Sequence, residues 1–421
     1  MRSLTLLSVL VVLLSSFLFV LLRRPSISPS SLSSLLSSSS SSSSPSSLLA
    51  GTVLVVTGPT SGLGLELTIQ LLSHGATVYG LARNSTKVSE IASTHNFSGL
   101  SGVFVPIVMD LSDLRSVSTG ASAVVSALAK TNGGRLDFLV NNAGMHNAFP
   151  LSYYTLDNAS AQEYDLTFVT NYLGHFLLTE LLLPNLRACT RRGGARVVHV
   201  SSTYHWHSDG SFLRPSYSSS SSSLMLPPRA SLPAKDSRPL LLAYGNSKLA
   251  QVLHAKKLKR LYDGAHARVG AHDDTPSSSA GPPSSYVGFV SACPSWVGTS
   301  IVPSGLLRSG LRLLAFPPRV GVSSLLVALF DASVESASFV ANTNVIEYVL
   351  PFKSLLISHW TVNWGPRDGI VNFLAGALLA IQGYAFGPFT AQETSPESYD
   401  EALQDELYEW SKAAVEKWTT K

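Results

Sequence analysis

Thr52-Val53-Leu54-Val55-Val56-Thr57-Gly58-Pro59-Thr60-Ser61-Gly62-Leu63-Gly64 is the stretch on which the fold turns. Thr52 to Thr57 is a short apolar, β-branched run, as expected of a parallel strand buried on both faces. The glycines that follow allow a sharp turn and a close backbone approach to a ligand. From Leu63 to Leu72 the apolar residues recur at helical spacing. A strand, a glycine turn and a helix in this order place free N–H groups at a helix N-terminus, where a pyrophosphate binds. The predicted contacts are Thr57, Gly58, Ser61, Gly62, Leu63 and Gly64. A glycine trio alone is a weak signal, and its position between strand and helix strengthens it.

Working outward, Ala76–Leu81, Gly102–Val108, Leu136–Asn141, Ala195–Ser201 and Tyr286–Ala292 read as further strands separated by helix-length segments. Such alternation predicts an α/β fold, a doubly wound parallel sheet of the Rossmann kind with right-handed crossovers. The second strand ends at Arg83. An acidic residue there suits a ribose 2′-hydroxyl, whereas an Arg offers bidentate donors to a 2′-phosphate, which favours NADP(H) over NAD(H). The bland alternative is a solvated Arg. Asp110, after the third strand, could accept from an adenine amino group or cap the next helix. Asn84-Ser85-Thr86 is a glycosylation sequon, but a glycan beside Arg83 would obstruct the cofactor.

Tyr244-Gly245-Asn246-Ser247-Lys248 puts a phenol and an ammonium one helical turn apart on one face. A free tyrosine ionises near pH 10, and a nearby cation favours the phenolate. Tyr244 is therefore a candidate general acid/base and Lys248 its partner. Tyr-x-x-x-Lys alone is common by chance.

It stands with five other elements in order: the Thr57–Gly64 turn, Asn141-Asn142-Ala143-Gly144, Asn171-Tyr172-Leu173-Gly174-His175-Phe176, Val200-Ser201-Ser202, and Pro294-x-x-Val297-x-Thr299. On these residues the chain resembles the short-chain dehydrogenase/reductase superfamily, classical type, and its retinol-dehydrogenase-like branch, from about Thr52 to Thr299. The resemblance implies an oxidoreductase interconverting a carbonyl and an alcohol. It implies that Ser202 hydrogen-bonds the substrate oxygen, Tyr244 exchanges a proton with it, and Lys248 lowers the tyrosine pKa and holds the nicotinamide ribose. Asn171 would hold a water for proton relay. Asn142, Ala143 and Gly144 would line the adenine-ribose side, and Pro294, Val297 and Thr299 the nicotinamide. The sequence departs from the family pattern in the 41 residues between Ser202 and Tyr244, in Ser295 after Pro294, and beyond Thr299.

Composition frames the rest. The 421 residues are 45% apolar and only 13% charged, with a net charge of +4 and no dense Lys/Arg block of the kind nucleic acid needs. Cys189 and Cys293 offer neither a disulfide framework nor a metal-binding spacing. Leu4–Leu22 is apolar and, at 19 residues, nearly spans a bilayer core; Arg23 and Arg24 follow it. Residues 1–24 thus read as a signal anchor with the bulk cytosolic, which suggests the endoplasmic reticulum. The rival is a cleaved organellar (plastid) targeting segment, since no acidic residue precedes Glu66. Residues 25–50 form a Ser-rich linker, 51–300 the catalytic domain with insertions near 204–240 and 264–285, and 301–421 an apolar and helical substrate- or membrane-proximal region. The stretch after Thr299 reads as a lid or membrane-dipping surface, and Glu397–Trp418 as an amphipathic helix packed on its own domain. His205-x-His207 lacks further ligands and fits a pocket wall better than a metal site, with no metal expected. His175 and Cys293 read as structural. Expected partners are a hydrophobic small molecule (a retinoid, steroid or fatty aldehyde), a membrane through the N-terminal segment, and a second copy in a homodimer. The alternatives are a non-catalytic NADP(H)-binding scaffold or, within enzymes, a 3-ketosteroid reductase; protochlorophyllide reductase is a lesser option.

Overall fold

A computed structural model describes residues 48–146, 153–155, 163–191, 193–208, 210, 238–270, 286–294, 297, 317–342 and 389–419. The expected anchor and most of the linker lie outside the described residues, as do Ser295 and Thr299.

In chain order the elements are β1 (Val53–Thr57), α1 (Gly62–Ser73), β2 (Thr77–Ala82), α2 (Ser85–Thr94), β3 (Val103–Val108), α3 (Leu114–Thr131) and β4 (Phe138–Asn141). A two-stranded hairpin follows, β5 (Tyr153–Thr155) and β6 (Glu163–Asp165). Then come α4 (Leu166–Arg187), β7 (Ala195–Val200), α5 (Arg238–Gly270), β8 (Val287–Ala292), α6 (Pro318–Phe330), β9 (Phe339–Asn342), β10 (Phe389–Gln392) and α7 (Glu401–Thr419). The main sheet runs β10-β9-β8-β7-β4-β1-β2-β3, parallel throughout except for the antiparallel β10 edge.

Strand side chains alternate between two cores. Val53 and Val55 join the layer of α3, α4, α5 and α7, while Leu54 and Val56 join that of α1 and α6. Every residue of β1 is therefore buried, which explains its unbroken apolar run. Each such side chain contributes roughly 1.5–3 kcal/mol. Strand order reverses between β1 and β4, and in an open α/β sheet a ligand crevice forms there, at the carboxyl edge.

Three local readings change. The sheet continues past residue 300: β9 and β10 are four-residue strands, too short to register as periodic sequence. Residues 318–330 are not a lid or a membrane-dipping surface, because α6 is buried from Gly321 to Phe330 beneath the sheet. The carbonyls at and just beyond its C-terminus are held by half-buried Arg196, which donates to Ala328 O, Asp331 O and Val334 O at 2.9 Å. Helix α5 also runs on to Gly270, into the insertion expected from 264, because Ala265-His266-Ala267-Arg268 sustains the helix beyond Gly264. Among the described residues only Leu166–Arg187 is long and apolar enough to cross a membrane, and most of it is buried inside the protein, as suits a core helix.

Candidate active site

The glycine turn is closely braced. Gly58 has φ +68°, a left-handed conformation that favours glycine, and its N–H donates to Leu81 O at 2.9 Å. A Cβ on Gly64 would lie 2.1 Å from Gly58 O, so only glycine fits there. Thr57 Oγ1 accepts from the N–H groups of Asn142 and Ala143, each at 2.9 Å, and Asn142 Nδ2 donates to Thr57 O at 2.8 Å. Asn142 and Ala143 thus lock the turn to the end of β4. Ser61, the N-cap of α1, makes no side-chain cap, which leaves its hydroxyl to a ligand. The left-handed turn, the uncapped helix start and the space that only glycine leaves all fit a dinucleotide pyrophosphate.

Arg83 is exposed just beyond β2, on the strand whose Leu81 carbonyl anchors the turn. Asn84 caps α2 by accepting from Lys87 N at 2.9 Å, which gives the sequon asparagine a structural use. Asp110 does not cap α3; Asp113 does, through Arg115 N. Asp110 Oδ1 instead accepts from Ser112 N and Ser112 Oγ, an Asx turn at the sheet edge. Pro294 follows β8, and buried Val297 lies against Gly321, where an added Cβ would meet Val297 Cγ2 at 2.3 Å.

Ser202, Tyr244, Lys248 and Asn171 come together at the carboxyl edge. Ser202 lies two residues past β7 and caps the short 3-10 turn Thr203–His207, accepting from Tyr204 N at 3.2 Å. Its hydroxyl is near enough to Tyr244 to favour the phenolate. Lys248 Nζ lies 5.3 Å from the Tyr244 ring centre and donates to Val200 O at 2.8 Å and Gln251 Oε1 at 3.2 Å. Ser201 Oγ donates to Lys248 O, tying α5 to β7. Asn171 sits in a π-helical turn, Val169–Leu173, inside α4, a distortion frequent at functional sites. Its Oδ1 accepts from Met145 N at 2.8 Å, and its Nδ2 donates to Met145 O and Ser247 Oγ. Gly144 lies beside both groups: a Cβ there would stand 3.4 Å from Asn171 Oδ1 and 3.7 Å from Lys248 Nζ.

The electrostatics differ from the expectation that Lys248 pulls the phenol down. Burial pushes Tyr244 well above its usual range; Cys293 and Tyr204 add to this, and the Ser202 hydroxyl opposes it. Burial also lowers Lys248 to about 7, with Cys293 opposing. Desolvation penalises both charged forms, so the resting pair is phenol plus a readily neutralised amine.

Several participants carry no obvious sequence signal. His146, whose pKa burial lowers, lies 5.0 Å from Tyr244 ring to ring, and Tyr204 meets the same ring edge-on at 5.8 Å. Ser247 Oγ links Asn171 to Tyr244 O. His205 is buried: Nδ1 is 2.7 Å from Ser202 O and Nε2 accepts from Ser395 N at 3.1 Å, so it buttresses the serine turn rather than lining an open wall. His175 bridges Thr57 Oγ1 and Asn171 O, each at 2.9 Å, and burial lowers its pKa to about 4.

Comparison with known proteins bears on the family and the fold. Residues 52–225 match the family model of the short chain dehydrogenases. A short-chain dehydrogenase/reductase of Armillaria gallica is 39% identical over 160 residues, covering 38% of this chain and 48% of that protein. Dehydrogenase/reductase SDR family member 13 of Bos taurus is 29% identical over 301 residues, 71% of this chain and 68% of the relative. The crystal structure of an uncharacterized protein from Mycobacterium Paratuberculosis shares the fold, with TM-score 0.53 at 23% identity over 87% of this chain and 94% of that one. The chain spans about half the length of the fungal relatives it matches. These matches support a member of the short-chain dehydrogenase/reductase superfamily.

Proposed function

We propose that this chain is an NADP(H)-dependent oxidoreductase of the retinol-dehydrogenase-like branch, interconverting a carbonyl and an alcohol on a hydrophobic substrate. The observation that carries this reading is the convergence of Ser202, Tyr244 and Lys248 beside the glycine turn, with Lys248 Nζ 5.3 Å from the Tyr244 ring centre. The Thr57–Gly64 turn, Arg83, Asp110, Asn142–Gly144, Lys248, Pro294, Val297 and Thr299 would hold the dinucleotide. Bound there, it supplies the two-electron transfer to or from the substrate carbon. Ser202 Oγ and Tyr244 Oη hydrogen-bond the substrate oxygen where charge develops. Tyr244 Oη gives its proton to that oxygen on reduction and takes it back on oxidation. The phenol, protonated at neutral pH, is poised as donor, which suits the reductive direction. Arg83 favours NADP(H) through bidentate donors to the 2′-phosphate.

Retinoids, steroids and fatty aldehydes are the substrate classes that fit an enzyme held at a bilayer by Leu4–Leu22, with the catalytic domain on the cytosolic side of the endoplasmic reticulum and a homodimer as its assembly. The test is NADPH oxidation against a panel of lipid-soluble aldehydes and ketones, with NADH as control and Tyr244→Phe alongside. Turnover by wild type, loss of at least about a thousandfold in Tyr244→Phe and retained NADPH binding are expected. NADPH binding with no turnover of any carbonyl would instead mark a cofactor-binding scaffold.

A further inference from the structure

The amide of Gln251 stands between two groups of the reaction centre. It lies three residues beyond Lys248 on α5 and is fully buried. Its Oε1 accepts from Lys248 Nζ at 3.2 Å, and its Nε2 donates to the backbone carbonyl of Asn171 at 2.8 Å. The amide orientation is unambiguous, because an ammonium only donates and a carbonyl only accepts. The same Asn171 oxygen is 2.9 Å from His175 Nδ1, whose Nε2 faces Thr57 Oγ1. With Nδ1 protonated, both lone pairs of the Asn171 carbonyl are in use. The Asn171 side chain is likewise bonded to Met145 N, Met145 O and Ser247 Oγ. The resemblance implies that Asn171 holds a water for proton relay; its carbonyl is tied to Lys248 through Gln251.

We propose that Gln251 is a positioning residue of the reaction centre, holding the Lys248 ammonium and tying it to the Asn171 carbonyl. The consequence is structural and electrical. Lys248 has a fixed acceptor besides Val200 O, and a hydrogen-bonded chain runs from Thr57 in the cofactor turn through His175, Asn171 and Gln251 to Lys248. Glutamine suits this place because it carries a donor and an acceptor at the end of one buried stem. Methionine would fill the space with neither, and glutamate would offer only acceptors. The titratable groups around Lys248 are Tyr244 on α5, His175 on α4, His199 on β7 and Cys293 after β8, none of which these substitutions alter.

The proposal rests on the function proposed above, and its test separates the two. In full-length protein labelled with 13Cε-lysine, the Lys248 resonance, assigned by its loss in Lys248→Arg, is titrated without cofactor. Gln251→Met should move the midpoint down by about one pH unit and Gln251→Glu should move it up by about as much. With cofactor and a reducible carbonyl, Gln251→Met should lose about tenfold in kcat with little change in KM. A midpoint unmoved in both folded variants, or moved in the same direction in both, overturns the proposal and leaves Gln251 as core filling. If Gln251→Met fails to fold, the sign of the Gln251→Glu shift decides alone. Opposite midpoint shifts in a protein that turns over no carbonyl would sustain the Lys248 anchor while removing the proposed activity.

Discussion

Tyr244 keeps its proton because burial, with Cys293 and Tyr204 acting in the same direction, outweighs the Ser202 hydroxyl. The sign follows directly: a phenol raised above its free value donates throughout neutral pH and becomes a base only in alkali. Above the Lys248 midpoint, reduction should stay level between about pH 7.5 and 9, while oxidation climbs about tenfold per unit. Oxidation flat over that span would remove Tyr244 as the base. Arg83 makes a second prediction at this scale. Arg83→Ala should weaken NADPH binding by at least about tenfold and leave NADH binding within twofold, read by fluorescence titration. Equal losses for both would mean that the guanidinium meets no 2′-phosphate. Tyr244 and Lys248 were legible because a helix fixes what four-residue spacing means. Gln251, His146 and Ser247 were not, because their roles come from α4 and the β4 loop, remote in sequence.

Helix α4 begins at Asp165, whose Oδ1 accepts from Phe168 N at 2.8 Å. Burial raises this carboxyl to about 6, against the pull of its hydrogen bonds to Phe168 and Thr167. Because its folded value exceeds the unfolded one, its ionisation opposes folding above about pH 6, and the penalty fades as pH falls toward 4. Asp165→Asn keeps the cap acceptor without the charge. It should stabilise the protein by on the order of 1 kcal/mol at pH 7 and lose that advantage by about pH 4, in urea titrations at both pH values. Arg196 does the reverse service at the end of α6, and Arg196→Leu should cost about 2–4 kcal/mol in the same assay by removing its hydrogen bonds to three carbonyls. Elements with a strong period, such as β1 and α1, were readable within a residue or two. The four-residue strands β9 and β10 were not, since their pairing is decided by the neighbours they meet.

On the scale of the whole molecule, the two-sided sheet was legible from strand–helix alternation, but its closing strands were not. Helix α7 covers the α4–α5 face through Leu403, Leu407, Trp410 and Val415. Lys257 and Arg260 reach Asp405 at 2.8 Å, and Tyr172 and Ser411 hydroxyls bond at 2.8 Å. Truncation after Asp400 should therefore bare a broad apolar surface, giving aggregation or dye binding by an otherwise folded sheet.

Gly321 presses on Val297 and Leu63, and Ser395 steadies His205 beneath the serine turn. The reaction centre thus draws support from residues some 260 to 340 positions after the glycine turn. As the ribosome releases the chain from its N-terminus, a nascent polypeptide bearing every residue of the reaction centre would still be waiting for its supports. Competence to bind cofactor would then come only after those later residues had emerged.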